Sequence, residues 1–147
     1  MNNLIDKLND SFIGTTLPLT LRKLKFKQKF SFADRLSEAE KIIKKYPDRI
    51  PIIVQKSNTD KETKNINKRK YLVPSCLTVG QFLFVIRKRL DLGAEKALFL
   101  FINDEFIPPT GSLLGTIYKE HSDRDKFLYI TYSGENTFGS HKNYLYL

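Results

Sequence analysis

The stretch KYLVPSCLTVGQFLFVIRKRL, Lys70 to Leu90, decides the fold. Lys70-Tyr71-Leu72-Val73 is a branched and aromatic run, closed by Pro74 as prolines close strands. Thr78 then stands where a helix cap belongs, and Val79, Phe82, Ile86 and Leu90 recur along one stripe behind it. Arg87, Lys88 and Arg89 fall at the C-terminal end, where positive charge suits the helix dipole. A strand that turns directly into an amphipathic helix predicts a sheet with that helix packed across it.

Upstream, Ser31 to Lys45 reads as a helix. Ser31 is its cap, Asp34 lies in its first turn, Leu36, Ala39, Ile42 and Ile43 fall near helical spacing, and Pro47 ends it. Arg49 to Gln55, RIPIIVQ, reads as a strand, and the polar SNTDKETKNINK as the loop that follows. Downstream, Ala97 to Ile102 is a solidly apolar strand expected to be buried on both faces. Asn103-Asp104-Glu105 turns the chain, Pro108-Pro109 stiffens a loop, Ser112 to His121 makes a short helix, and Phe127 to Tyr132 is the last strand. Helix, strand, strand, helix, strand, helix, strand is an α+β order of the β-grasp, or ubiquitin-like, pattern.

The chain has 147 residues, 41% hydrophobic and 28% charged, which fits one soluble globular domain. A core of that size needs no metal or disulfide staple. The single cysteine, Cys76, excludes an internal disulfide and a Cys-based zinc motif, and His121 and His141 stand in no ligand spacing. Neither a metal nor a cofactor is expected. Cys76 and His121 have no orienting acid or amide motif beside them, and no phosphate-cradling glycine motif occurs, so the chain reads as a non-enzyme.

The net charge of +9 favours acidic partners, namely anionic lipid, nucleic acid or acidic peptides, although it serves equally as a solubilising surface. Without an RNA-recognition motif, nucleic acid ranks last. No window approaches the roughly 20 apolar residues of a membrane span. The start, MNNLIDKLNDSFIG, is broken by Asp6, Lys7 and Asp10 and is not a signal peptide. The Asn9-Asp10-Ser11 sequon is therefore idle, and a cytoplasmic location is expected.

Residues 1–30 differ in character from the rest. Leu4, Ile5, Leu8 and Phe12 line one face of a possible short helix that Gly14 and Pro18 stop. LRKLKFKQKF follows, with Arg22, Lys23, Lys25, Lys27 and Lys29 and no acid. Two readings stand, a short basic helix or a solvated arm, and a wet face is the plainer one.

Four segments carry a family resemblance: YPDRIPIIVQK, INKRKYLVPSCLTVGQFLFVIRKRL, EKALFLFIND and IPPTGSLLGTIYKEHSDRDKFLYITYSGENTFG. From Phe32 through Gly139 the chain resembles the autophagy-related ubiquitin-like modifiers, the family of GABARAP and the microtubule-associated protein light chains. The resemblance implies a ubiquitin-like domain over 31–139 with two N-terminal helices before the core, a divergent extension with a basic first helix over 1–30, and a removable propeptide over 140–147. It also implies a chain of partners. A processing cysteine protease cuts the Gly139-Ser140 bond, activating and conjugating enzymes carry Gly139 as a thioester, and phosphatidylethanolamine receives it. Autophagosome or vacuole-related membranes would then hold the protein, a monomer before lipidation. A residue without Cβ lets its carbonyl approach a reactive cysteine closely, the arm Ser133 to Phe138 gives reach, and Phe138 offers an apolar anchor beside the cut.

Along the second strand, Lys70 and Leu72 face one way, Tyr71 and Val73 the other. In the family that strand's edge takes up a partner peptide by β-augmentation, and two pockets receive an aromatic and an aliphatic residue three apart. By resemblance, Glu38, Ile42, Pro51, Ile53, Lys70, Leu72 and Phe127 line the aromatic pocket. Tyr71, Val73, Pro74, Leu77, Phe82 and Val85 line the aliphatic one. Arg49, Lys68 and Arg87 would attract acidic residues beside the motif. Plain core packing is the competing reading for each apolar position. Cargo receptors and adaptors with such motifs are the expected ligands.

The chain departs from the family pattern in an N-terminal segment roughly twenty residues longer and a slightly long loop around Asn58 to Asn65. A reading from another class is an unconjugated scaffold that binds membrane or cytoskeleton through the basic N-terminus.

Overall fold

The structure, a computed structural model, describes residues 25–135. Residues 1–24, Phe138, Gly139 and the segment 140–147 lie outside the described residues. The elements are α1 (Phe26–Lys29), α2 (Phe32–Lys45), β1 (Arg49–Lys56), β2 (Lys70–Pro74), α3 (Val79–Arg89), β3 (Phe99–Ile102), α4 (Leu114–His121) and β4 (Leu128–Ser133). Ser31 Oγ caps α2 by accepting from the Asp34 N–H at 3.1 Å. At α3 the cap is reciprocal: Thr78 Oγ1 accepts from the Gln81 N–H at 3.2 Å, and Gln81 Oε1 accepts from the Thr78 N–H at 2.9 Å.

The four strands lie in the order β2-β1-β4-β3. β1 runs antiparallel to β2 and parallel to β4, and β3 is antiparallel to β4. This is the α+β, ubiquitin-like arrangement that the pattern predicts. Pro51 pairs with Leu72, but the ladder to β4 begins only at Ile52↔Leu128. Its missing N–H thus falls before the second ladder, which is how a central strand tolerates proline.

Alternation along the strands builds two cores. Ile52, Val54, Tyr71, Val73, Leu128 and Ile130 pack with Val79, Phe82 and Ile86 of α3 on one face. Ile53, Leu72, Phe127 and Tyr129 pack with Phe26, Ala39 and Ile42 of α1 and α2 on the other.

That second core decides between the two readings of the basic run. Phe26 is 4% exposed, with its ring 5.4 Å from that of Phe127 and 5.0 Å from that of Phe30. Lys25 to Lys29 is therefore docked rather than a solvated arm. The i, i+4 spacing of Phe26 and Phe30 puts both rings on one side of a single turn. The helix start is satisfied across the sheet, since the Phe26 N–H donates to Gln55 Oε1 at 2.9 Å.

Several boundaries shift from those expected. β3 begins at Phe99 rather than Ala97, because the chain is still leaving a turn in which the Lys96 N–H donates to the Gly93 carbonyl at 3.0 Å. Leu98 to Ile102 are nonetheless buried apart from a half-buried Phe99. α4 begins at Leu114 rather than Ser112. The Val79 N–H donates to the Ser112 carbonyl and the Leu114 N–H to the Leu77 carbonyl, each at 2.9 Å, so Ser112 and Leu113 are extended against the entry to α3. β1 continues to Lys56, and β4 runs Leu128–Ser133, with Phe127 buried just ahead of it.

A buried polar knot ties α2 to β4. Asp125, fully buried, accepts from Arg35 Nη1 at 3.1 Å, from the Tyr129 hydroxyl at 2.5 Å and from the Phe127 N–H at 2.9 Å. Burial pushes the Asp125 carboxyl and the Tyr129 hydroxyl up from their ordinary values.

Candidate functional site

β2 ends the strand order, so one side of its backbone faces away from the sheet. Its residues feed both cores. Lys70 and Leu72 turn toward α1 and α2, while Tyr71 and Val73 turn toward α3. The predicted alternation is met.

Depth divides the residues expected to line the aromatic pocket. Ile53, Leu72, Phe127, Ile42 and Pro51 are buried, and Glu38 and Lys70 are half-buried. The Lys70 ammonium lies 5.5 Å from the Phe26 ring centroid and 5.4 Å from that of Phe30. Burial brings its pKa down to about 8, with Glu38 pulling the other way and Lys29 adding to the fall. Phe30, Phe26 and Lys29 thus stand beside the residues expected to line the aromatic pocket, although reading the sequence did not assign them. The signal was the pair of phenylalanines four apart in KFKQKF.

The residues expected in the aliphatic pocket also separate. Tyr71, Val73 and Phe82 are core, with the Tyr71 and Phe82 rings edge to face at 5.5 Å. Leu77 and Val85 line an open hollow of about 600 Å³ together with Thr78, Gly80, Gln81, Phe84, Thr110 and Gly111. Pro74 is half-buried at the end of β2. The hollow therefore extends along α3 to the loop before α4, beyond the positions expected from sequence. Phe84, 57% exposed, is the largest apolar surface there.

Of the three residues expected to attract acids, Arg87 donates through Nη2 to the Gly93 carbonyl at 2.8 Å and closes the turn after α3. Lys68 is half-buried at the approach to β2. Arg49 Nη1 is buried with no hydrogen-bond partner among the described residues.

Cys76 is exposed between β2 and α3. His121, at the end of α4, stands against the Phe106 ring at 4.8 Å and beside Glu120 at 3.7 Å. Among the described residues no cluster of three His, Cys, Asp or Glu side chains is placed to hold a metal. No described helix is long and apolar enough to cross a membrane.

The chain is similar to several known proteins. The family model "Autophagy protein Atg8 ubiquitin like" matches residues 34–139. Autophagy-related protein 8 of Schizosaccharomyces pombe is 59% identical over 115 residues, spanning 78% of this chain and 93% of that one. Autophagy-related protein 8e of Arabidopsis thaliana is 58% identical over the same length and coverage. Among solved structures, Plasmodium falciparum Atg8 in complex with a P. falciparum Atg3 peptide superposes with a TM-score of 0.70 at 34% identity, over 76% of this chain and 97% of that one.

Proposed function

Since the chain belongs to the Atg8 family of autophagy ubiquitin-like proteins, we propose that it is a modifier that is cut after Gly139, joined there to phosphatidylethanolamine, and used on the membrane to dock partner peptides. Hydrolysis of the Gly139-Ser140 amide frees the Gly139 carboxylate and releases residues 140–147. The activating enzyme joins the carboxylate to a nucleoside triphosphate as an acyl adenylate-type anhydride with loss of pyrophosphate. An enzyme thiolate displaces the nucleoside monophosphate to give a thioester, and the lipid amine displaces that thiolate to leave an amide. The chain is the group transferred, not the catalyst.

The observation that carries this reading is the edge position of β2, with its side chains alternating between two apolar clusters. A partner strand added at that edge gains main-chain hydrogen bonds, and its alternate side chains meet the Lys70–Phe30 side and the Leu77–Val85 hollow. The solved relative is a complex with an Atg3 peptide, which supports a conjugating enzyme as one partner here. Cargo receptors and adaptors carrying aromatic-x-x-aliphatic motifs are the others. The protein is cytoplasmic and monomeric before lipidation and sits on autophagosomal or vacuole-related membranes after it.

The scaffold reading would draw on the basic run, of which Lys25, Lys27 and Lys29 are among the described residues. Lys27 Nζ pairs with Asp123 at 2.6 Å and lies 4.6 Å from the Tyr129 ring centroid, and Lys25 Nζ donates to the Lys56 carbonyl. These cations serve the fold before they serve a partner. Intact mass of the protein recovered from cells tests the choice. Loss of residues 140–147 with a phosphatidylethanolamine adduct is expected, and a cellular pool that keeps the tail and carries no lipid refutes the proposal.

A further inference from the structure

β4 leaves the sheet at the end where the β2 edge begins. In register, Lys56 stands opposite Tyr132, Ile53 opposite Lys70 and Arg49 opposite Pro74. The last residues of β4 and the first of β2 therefore share one end of the sheet, and Pro74 is at the other. The root of the C-terminal arm also touches the loop that leads into β2. Asp60 of that loop accepts from the Gly134 N–H at 2.8 Å, and a Cβ on Gly134 would stand 2.6 Å from Thr63 Oγ1.

The tail has the spacing that the two sides of β2 accept. Between Asn136 and Leu147, Tyr144 is the one aromatic residue with an aliphatic residue three places on, Leu147. An odd spacing puts two side chains on opposite faces of a strand. The clusters beside β2 lie on opposite faces too, Lys70 and Leu72 turning toward α1 and α2, Tyr71 and Val73 toward α3. Direction agrees as well. A segment arriving at the Lys70 end runs parallel to β2, meeting the Lys70–Phe30 side first and the Leu77–Val85 hollow second. The aromatic residue, first in the tail, thus comes to the aromatic side.

Length also suffices. A guest strand outside β2 lies three strand spacings, about 14 Å, from β4, and Lys70 lies about 10 Å back along the sheet from Tyr132, a diagonal of about 17 Å. The nine residues from Glu135 to Tyr144 span up to about 30 Å, enough to pass round the β1–β2 loop.

We propose that the unprocessed chain docks its own tail along β2, with Tyr144 on the Lys70 side and Leu147 in the hollow, so that the cut after Gly139 also vacates the groove. The inference rests on the peptide-docking and processing readings above. Ser140 to Leu147 contains Lys142 and no acid, so it lacks the attraction that a chain of net charge +9 offers an acidic peptide. Its hold comes from the tether, which sets a local concentration on the order of 1 mM. A tail with an intrinsic dissociation constant about a quarter of that value is docked in about four chains of five, and an incoming peptide then binds about fivefold more weakly.

The test is calorimetry of an acidic aromatic-x-x-aliphatic peptide against the full chain and its tail variants. Tyr144→Ala and Leu147→Ala are each expected to bind the peptide about fivefold more tightly than the parent, as is the chain after the family's processing protease has removed residues 140–147. Tyr146→Ala, which keeps the spacing, is expected to bind as the parent does. Equal affinity in the parent, Tyr144→Ala and Leu147→Ala chains overturns the inference alone. So does a parent affinity that falls as protein concentration rises, with larger species in light scattering, because the tail then sits on a second copy. Failure of the peptide to bind any of the chains overturns the docking reading and this inference with it. A parent chain that the protease leaves whole overturns the processing reading and the proposed release.

Discussion

The Lys70 ammonium is 5.4 Å from the Phe30 ring centroid, a cation resting on an aromatic face. The contact joins β2 to the turn of helix that precedes α2, and it links an electrostatic property of the site to an N-terminal residue.

Lys70 should titrate near pH 8 instead of at 10.5. Its folded value lies below its unfolded one, so the folded chain binds fewer protons between the two. Its unfavourable contribution is present below about pH 8 and is relieved as pH rises toward 10.5. Resolved NMR titration of the side chain checks this. Phe30→Ala, by admitting water, should move the midpoint upward, and a midpoint that stays put would detach Phe30 from the site.

Phe26→Ala removes a ring from the middle of the second core. A loss of about 3–5 kcal/mol is expected, read as a lower denaturant midpoint. A loss below about 1 kcal/mol would mean that α1 only rests on the sheet.

Asp125→Ala strands the Arg35 guanidinium, whose side chain is 9% exposed. The expected cost is about 3–5 kcal/mol. Arg35→Met combined with Asp125→Ala should cost less than the two single changes added together. Additive single costs would show that the pair acts as two independent groups.

Tyr71→Ala with Leu72→Ala is a poor probe of the groove, because each residue is 3% exposed and each truncation costs about 2–5 kcal/mol of core. Val85→Asp reaches the hollow with less damage. It is expected to weaken an aromatic-x-x-aliphatic peptide at least tenfold in calorimetry with Tm nearly unchanged. Unaltered affinity would remove Val85 from the proposed pocket.

Local features were legible in the sequence because local physics sets them. Ser31 and Thr78 cap the helices expected of them, and the alternation Lys70, Leu72 against Tyr71, Val73 follows from the strand period alone. Burial depth was not legible. Leu72 is sealed by Phe26, 46 positions earlier, and no period reports a partner at that distance. Asp60 is the sharper case. Within SNTDKETK it looks like one more polar loop residue, and only the return of β4 beside β1 brings Gly134 to its carboxylate. Arg87 shows the same limit: its charge is legible in the sequence, but its Nη2 bond to the Gly93 carbonyl, which closes the turn after α3, is not.

The position of β1 between β2 and β4 has one more consequence. Two strand spacings, about 10 Å, separate β2, the proposed docking strand, from β4, the strand that precedes the proposed conjugation site. Under the proposed function, cargo and mooring would therefore use different backbones. In that role a molecule would be fastened beyond one strand and read along another, so one copy could serve as a hook and a handle at once.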